Sequence, residues 1–501
     1  MDDYAYKSTP PTLCNKTLAA LPSGVVRPNY NRDQLTPGIV HIGLGNFHRA
    51  HQAWYLHRLM QLGLAHDWAI IGGGMRAFDE AQRQKLAQQD FLTTLVELDP
   101  ASTSAEVVGS MIGYAAIAED SRPLIQWMAN PGIRIVSLTI TEGGYYIDPV
   151  TRRLDEAHPD IVHDIQNPST PRTAFGAIIE ALRLRQERGH GPFTGLCCDN
   201  LQSNGDILRQ TVLSLAQLSR PEFAQWIDDH CSFPNSMVDC IVPATGPAEI
   251  ALARELGIDD AAPVTHERFR QWVIEDRFCA GRPALETVGV VFTDAVHDYE
   301  KMKIRILNAG HQVIANAGEL LGLKTIADCM AHPLINGLFT RVEHEEIAPY
   351  VKPVPGITPE SYIELIASRF ANPSIQDTTR RVSFDGSSRH PGFILPILRE
   401  ALDSGGSISG LALVEALWAR MCAGIREDGS NIESNDPFWE QLNAAAHRSK
   451  TEPEHWLRMQ HLYGDLADNQ AFSTRFSSWL SLIWDQGVEA TITSYCNQIA
   501  K

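Results

Sequence analysis

No stretch of this sequence approaches the ~18 consecutive apolar residues a membrane span requires, so a helical membrane protein is excluded. Basic residues are in the minority, with Lys+Arg 42 against Asp+Glu 60 and a formal net charge of −18 over 501 residues. No local basic stripe offsets that excess, so the chain repels phosphate backbones and a nucleic-acid binder is not expected. The cysteines, nine from Cys14 to Cys496, form no C-x-x-C pair. That excludes a zinc ribbon or a disulfide framework and predicts reduced thiols in a cytoplasmic protein. The opening MDDYAYKSTPP is acidic and has no apolar core, so no secretory leader is expected. Internal repeats and low-complexity tracts are lacking as well. What is present is an ordinary globular composition, 44% apolar and 20% charged, in a chain long enough for several domains.

Residues 1–36, with their prolines and asparagines, read as an irregular lead-in. Short apolar runs then alternate with helical patterns. Strands are expected at Gly38–Ile42, Trp68–Ile71, 133–141, 193–198, 240–245 and 287–294. The stretch 173–189 has the three- and four-residue apolar spacing of a helix and a glycine stop. Such alternation predicts a mostly parallel sheet covered on both faces. Beyond about residue 293 strand-like runs nearly vanish. Patterns such as 411–425 and 474–487 there predict helices, with irregular segments at 351–360 and 383–393. The expected fold class is α/β: an N-terminal doubly wound sheet domain over 1–293, then a mostly α-helical domain over 294–501.

The first strand runs into Ile42-Gly43-Leu44-Gly45-Asn46-Phe47-His48-Arg49-Ala50. Glycines between a strand and a helix let backbone N–H groups approach a pyrophosphate, as in Rossmann-like dinucleotide domains. His48 fills the slot of the third glycine in G-x-G-x-x-G, so on its own the motif leaves a purely structural turn equally open. Arg49 is expected to add charge to the phosphate contact. Asp79, after the second strand, is the candidate for the ribose 2′-OH, although it lies farther along than the usual ~20 residues. An acid there favours NAD. Arg76 nearby would favour the 2′-phosphate, which keeps NADP as the alternative cofactor.

The segment Tyr299 to Gly318 carries the chemistry. Wound at about 100° per residue, Met302, Ile306, Ala309 and Val313 form a core stripe. Lys301, Arg305 and Gln312 fall on a face expected to meet solvent. Glu300, Lys303, Asn308 and His311 share a third face, interleaved with Ile304, Leu307 and Ile314. Burying such groups costs roughly 1–3 kcal/mol each unless they are partnered, so that face is expected to line a cleft. Taken singly, each has an ordinary structural role open to it, a core hydrogen bond or a snorkelling lysine; four together point to a site. A lysine partly desolvated there has its pKa lowered and can accept a proton near neutrality. Oxidation of a secondary alcohol needs that base, donors for the developing alkoxide and a hydride acceptor. No zinc-ligand set is evident to replace it. Tyr299 and Lys303 also match the Y-x-x-x-K pair of short-chain dehydrogenases, but chain length and glycine pattern differ and the match is a coincidence of composition.

Taken in order, G43-x-G45-x-F47-H48-R49-A50-H51, T141-E142-G143-G144-Y145, C198-D199-N200, S232-F233-P234-N235-S236-M237-V238-D239, K303-x4-N308-x2-H311 and D385-G386-S387-S388 resemble the polyol-specific long-chain dehydrogenases, from about residue 37 onward. The resemblance implies zinc-independent, NAD-dependent interconversion of D-mannitol and D-fructose by a protein that is commonly a monomer, with its site between a dinucleotide domain and a helical domain. It implies Lys303 as general base, Asn200 and Asn308 as the oxyanion hole, His311 at the reacting hydroxyl, and Glu300 as gate of a proton path. Asp239 and Arg381 would hold the polyol chain, and Glu142 and Gly143 would lie by the nicotinamide.

Three positions depart from the family pattern: Cys240 replaces an arginine, Arg389 replaces a lysine after D-G-S-S, and Asn46 stands where a glycine is common. Arg389 presents a planar fork in place of a point charge and is taken as substrate-binding. These changes leave the reaction type intact and open the substrate to D-arabinitol, D-sorbitol, mannonate with fructuronate, or tagaturonate. A non-catalytic dinucleotide-binding protein is the rival from another class.

Overall fold

A computed structural model describes residues 10–76, 79–100, 102–116, 120–148, 151 and 153–498. The chain forms two compact units, Met1–His297 and Asp298–Lys501. Its strands, among the described residues, are β1 (Pro37–Ile42), β2 (Ala69–Gly73), β3 (Thr93–Asp99), β4 (Ser102–Val108), β5 (Met111–Tyr114), β6 (Ile135–Leu138), β7 (Thr194–Cys197), β8 (Ser236–Asp239), β9 (Val264–His266), β10 (Gln271–Ile274) and β11 (Val291–Phe292).

In the first unit a five-stranded sheet has the order β5-β2-β1-β6-β7, and every pairing is parallel. Side chains alternate across it. Val40, Ile42, Val136 and Leu138 bury against Phe175, Ile178 and Leu182 of the Ala174–Glu187 helix. Ile39 and Ile135 bury on the opposite face against Leu56 and Leu59 of the Gln52–Gln61 helix. Burial on both faces explains why these strands read as unbroken apolar runs in the sequence.

Two smaller sheets flank this one, β11-β10-β8 and β4-β3-β9. The antiparallel β3–β4 hairpin, in register from Thr93↔Val108 to Asp99↔Ser102, has no counterpart among the expected strands. Its strands alternate with Thr, Ser and Glu, so they carry no apolar run. The strand expected at 240–245 lies earlier, as β8, and 240–245 is irregular; Pro243 has no N–H to give to a ladder. Of 287–294 only Val291–Phe292 is strand, because a 3-10 turn at Leu285–Val288 closes on Gly289 at φ 98°.

The second unit is helical. Val296–Met302, a π-helical segment Lys303–Asn308 and Ala309–Leu320 follow one another without a gap. The Ala309–Leu320 helix packs against Ser409–Met421, Pro333–Val342, Ile326–Ala331 and Thr379–Val382, so it is enclosed on all sides. The expected core stripe is buried: Met302, Ile306, Ala309 and Val313 are each at most 2% exposed. The face expected to meet solvent does so only at Lys301, whose side chain is 43% exposed; its other two residues are covered. Arg305 is buried and paired with Glu400 (Nη1–Oε2 2.7 Å), and it also donates to the Tyr350 carbonyl at 2.6 Å. Gln312 is buried and donates to the Val382 carbonyl at 3.2 Å. A wheel drawn for one amphipathic helix fails here because neighbouring helices cover the polar side, and because the π segment shifts the register.

Candidate active site

The glycine turn follows β1 where the strand order reverses between β1 and β6, the place at which an open parallel sheet leaves a crevice. Gly43 has φ 92°, and a Cβ on it would fall 2.0 Å from the Thr139 carbonyl oxygen, so only glycine fits. A Cβ on Gly45 would meet nothing within 4 Å: the turn is open on that side, as a pyrophosphate cradle must be. Gly45 then caps the Asn46–Ala50 helix. These residues fit a dinucleotide. Gly43, Gly45, Asn46 and Phe47 keep some exposure, whereas Ile42, Leu44, His48, Arg49 and Ala50 are buried beneath them.

Two of the buried residues depart from their expected use. Arg49, 2% exposed, donates through Nη2 to Asn46 Oδ1 at 2.7 Å and through Nη1 to the Ala262 carbonyl. Burial lowers its pKa to about 10, against the raising effect of Asp260. Its guanidinium therefore braces the turn from below and is not extended toward a phosphate. His48, 1% exposed, stacks on His41 of β1 with ring centroids 3.4 Å apart. It replaces the third glycine's close helix–strand approach with a stacked pair. Asn46 departs from glycine for a visible reason: its amide donates to the Pro243 carbonyl and to Thr245 Oγ1, both at 2.9 Å.

Asp79 begins the Asp79–Ala87 helix just past β2, and its Oδ2 accepts the backbone N–H groups of Met75 and Arg76 at 3.0 Å each. This fixes a carboxylate at the end of β2, where an adenosine ribose is read. On the other side of β1, β6 ends in a loop that turns at Glu142–Tyr145; Gly143 is exposed there. Asn200 follows β7 and is exposed, and Asp239 is the last residue of β8, opposite Gln271 and 6% exposed. Cys240 is buried beside it.

In the second unit Lys303 opens and Asn308 closes the π-helical segment. A regular helix would leave Lys303 and Asn308 at the two edges of their shared face, about 140° apart, and the wider i→i+5 turn draws them closer together on it. Lys303 is 7% and Glu300 4% exposed, whereas Asn308 is half-buried. His311 stacks on Phe370 (centroids 4.1 Å) with Nε2 3.9 Å from Asp377 Oδ2. Burial pulls its pKa down to about 3, and Arg381, Arg389 and Arg369 add to this while Asp377 opposes it. The ring is therefore neutral at physiological pH. Arg381 is exposed and forms a two-pronged pair with Asp377, both contacts 2.6 Å. Arg389 donates to the Val382 carbonyl.

The second unit thus gathers Lys303, Asn308 and His311 on one helix, with Arg381 and Arg389 facing His311. Asp377 belongs to this group and is missed by the sequence reading; its place four residues before Arg381 was the available signal. Among the described residues no group of three or more His, Cys, Asp or Glu could hold a metal ion. No described helix is long and apolar enough to cross a membrane.

A parallel sheet with a glycine turn at its reversal point, joined to a helical unit, defines a Rossmann-type dinucleotide-binding protein. Residues 37–287 match the mannitol dehydrogenase Rossmann domain, and residues 295–484 match the mannitol dehydrogenase C-terminal domain. The chain belongs to the mannitol dehydrogenase family. It is 52% identical to a mannitol 2-dehydrogenase of Cereibacter sphaeroides, over 94% of this chain and 98% of that one. It is 40% identical to a mannitol 2-dehydrogenase of Aspergillus terreus, over 93% and 95%. Its fold is similar to the Pseudomonas fluorescens mannitol 2-dehydrogenase in ternary complex with NAD and D-mannitol: TM-score 0.87, 38% identity, 97% of this chain and all of that one. A substrate-free D-sorbitol dehydrogenase is similar too, with TM-score 0.89, 34% identity and 96% of this chain covered.

Proposed function

We propose that this protein is an NAD-dependent dehydrogenase that interconverts D-mannitol and D-fructose, with Lys303 as general base. The observation that carries the reading is the π-helical segment with a buried lysine at one end and an asparagine at the other, three residues before a neutral histidine. The relatives named mannitol 2-dehydrogenase support it.

The turn at Gly43–Phe47 would hold the cofactor's pyrophosphate and Asp79 its adenosine ribose. When bound, the nicotinamide supplies the two-electron acceptor for the hydrogen leaving C2 of the polyol. The Lys303 amine takes the proton of the C2 hydroxyl, and Glu300, three residues back on the helix, passes it on. Asn308 and Asn200 donate amide N–H groups to the oxygen as negative charge develops on it. Neutral His311 can hydrogen-bond the same hydroxyl region without supplying a second charge. Arg381, held by Asp377, and Asp239 bind the remaining hydroxyls, with Arg389 beside Arg381. We read the protein as a monomer of the cytoplasm.

The test is the initial rate of NADH oxidation with D-fructose, beside D-xylulose, L-sorbose, fructuronate and tagaturonate, repeated with NADPH. The reading requires fructose with NADH to be fastest. A faster reaction on another ketose moves the substrate and leaves the residues in their roles. NADH binding with no turnover on any of them removes the reading.

A further inference from the structure

Asp199, the second residue after β7, is a meeting point for the loop that follows β6. The backbone N–H of Ile140 donates to its Oδ2 at 3.1 Å, and that of Thr141 to its Oδ1 at 2.9 Å. The Tyr145 hydroxyl donates to Oδ2 at 2.7 Å. The carboxylate is buried, and Tyr145 is 1% exposed. Between these anchors the backbone is held where it would not rest by itself. Thr141 has φ 64° and ψ 165°, a region open almost only to glycine, and Tyr146 is left-handed at φ 53°. Such a conformation persists when its surroundings over-determine it, and here one carboxylate collects two successive N–H groups and a hydroxyl. The loop's other end is fastened to the glycine turn, for Thr139 Oγ1 donates to the Gly43 carbonyl at 2.5 Å.

The strand order gives this clamp a direction. A dinucleotide laid across the reversal point has its adenosine half over β2, beside Asp79, and its other half over β6 and β7. The 140–145 loop and Asp199 stand on that second side. We propose that Asp199 is a positioning residue for the nicotinamide half of the cofactor. It holds the loop through Gly143 in its strained shape and fixes the base of Asn200, the next residue in the chain. This rests on the dinucleotide reading but not on the identity of the polyol. Asparagine cannot replace the carboxylate, because the two backbone donors address different oxygens. Either flip of an amide sets an NH2 group against one of them.

The test compares two ligands that share everything except the nicotinamide, NADH and ADP-ribose. For Asp199→Asn, the NADH dissociation constant should rise about tenfold, as the loss of one charge-assisted hydrogen bond predicts, while that of ADP-ribose stays within about twofold. Tyr145→Phe, which removes one donor and keeps the carboxylate, should shift NADH binding in the same direction by less, and it decides the matter if Asp199→Asn does not fold. Equal weakening of both ligands, or of neither, overturns the proposal: the first is general loosening of the domain and the second is indifference to the loop. Because no polyol is needed, tight NADH binding without turnover removes the mannitol reading and leaves this inference standing. Wild-type protein that binds neither ligand removes both.

Discussion

Asn308 follows Lys303 by one π-helical turn, so the proposed base and one proposed oxyanion donor are set side by side by a local break in helical register. Groups positioned together act as a unit, and their loss is not additive. Lys303→Met should lower kcat for polyol oxidation by roughly 10²–10⁴-fold, the usual contribution of a general base. Asn308→Ala should cost about 10²–10³-fold, as for an oxyanion-hole donor. The double variant should fall little below Lys303→Met alone. Steady-state kinetics of the three proteins, with NADH binding as the control for folding, makes the comparison; fully multiplicative losses would mean that the two residues serve separate steps.

Asp79 is fixed by two backbone N–H groups at the end of β2, so its carboxylate cannot swing away from an incoming phosphate. Asp79→Ser should therefore reduce the preference for NADH over NADPH, measured as the ratio of kcat/KM values, by about tenfold or more, equivalent to about 1.4 kcal/mol. An unchanged ratio would place cofactor selection elsewhere in the loop.

Arg49 serves the fold, and its replacement should show that in stability. Arg49→Met leaves the Ala262 carbonyl and Asn46 Oδ1 without their buried donor, at roughly 1–3 kcal/mol for each group. The melting temperature should drop by several degrees and NADH binding should weaken with it. Weakened binding at an unchanged melting temperature would return Arg49 to direct phosphate contact.

The sequence makes the chemistry-bearing helix and the glycine turn legible because both depend on local patterns: polar residues among apolar ones, and glycine where a Cβ cannot go. It does not show which way Arg49 and His48 point, since their partners Ala262 and His41 are set by tertiary packing. Nor does it show that Arg305 and Gln312 are covered, because the residues that cover and pair with them, Glu400 and Val382, lie some 70–95 residues further along. The central parallel strands are readable as apolar runs, whereas the β3–β4 hairpin, with one polar face, is not. Asp377 escapes notice because a carboxylate four residues before an arginine is ordinary on any helix.

Acid should unfold this protein through histidines buried in neutral form. Burial holds His41, His266 and His311 each down to about 3. Above the ordinary value of about 6.5 they are uncharged in both states and have no effect on stability. As pH falls from about 6.5 toward about 3, the unfolded chain takes up protons that the folded one refuses, so stability declines across that window and levels off below it. Replacing His41, whose ring bonds Ser137 and Thr139, by asparagine should flatten the fall of melting temperature between pH 6.5 and 4.5 while lowering the value at pH 7.5. An unchanged slope would show that His41 takes no part in the acid lability.

Glu343 should produce the opposite trend. It opens a second π-helical segment, Glu343–Ile347, is fully buried, and neither carboxyl oxygen has a hydrogen-bond partner among the described residues. A Cβ on Gly310, next to His311, would lie 2.7 Å from its Oε1, so the carboxyl packs directly on the helix that carries the proposed base. Burial raises its pKa well above 4.5. With the folded value raised, the folded chain keeps a proton that the unfolded chain releases above about 4.5, so stability is lost as pH rises until the folded value is passed. Glu343→Met removes that loss and fills nearly the same volume with apolar atoms. Its melting temperature should already exceed wild type near pH 4.5, where the unpartnered neutral carboxyl is removed, and the gap should widen toward pH 8. A variant less stable at both ends would show that the carboxyl has a partner that the fold supplies through water.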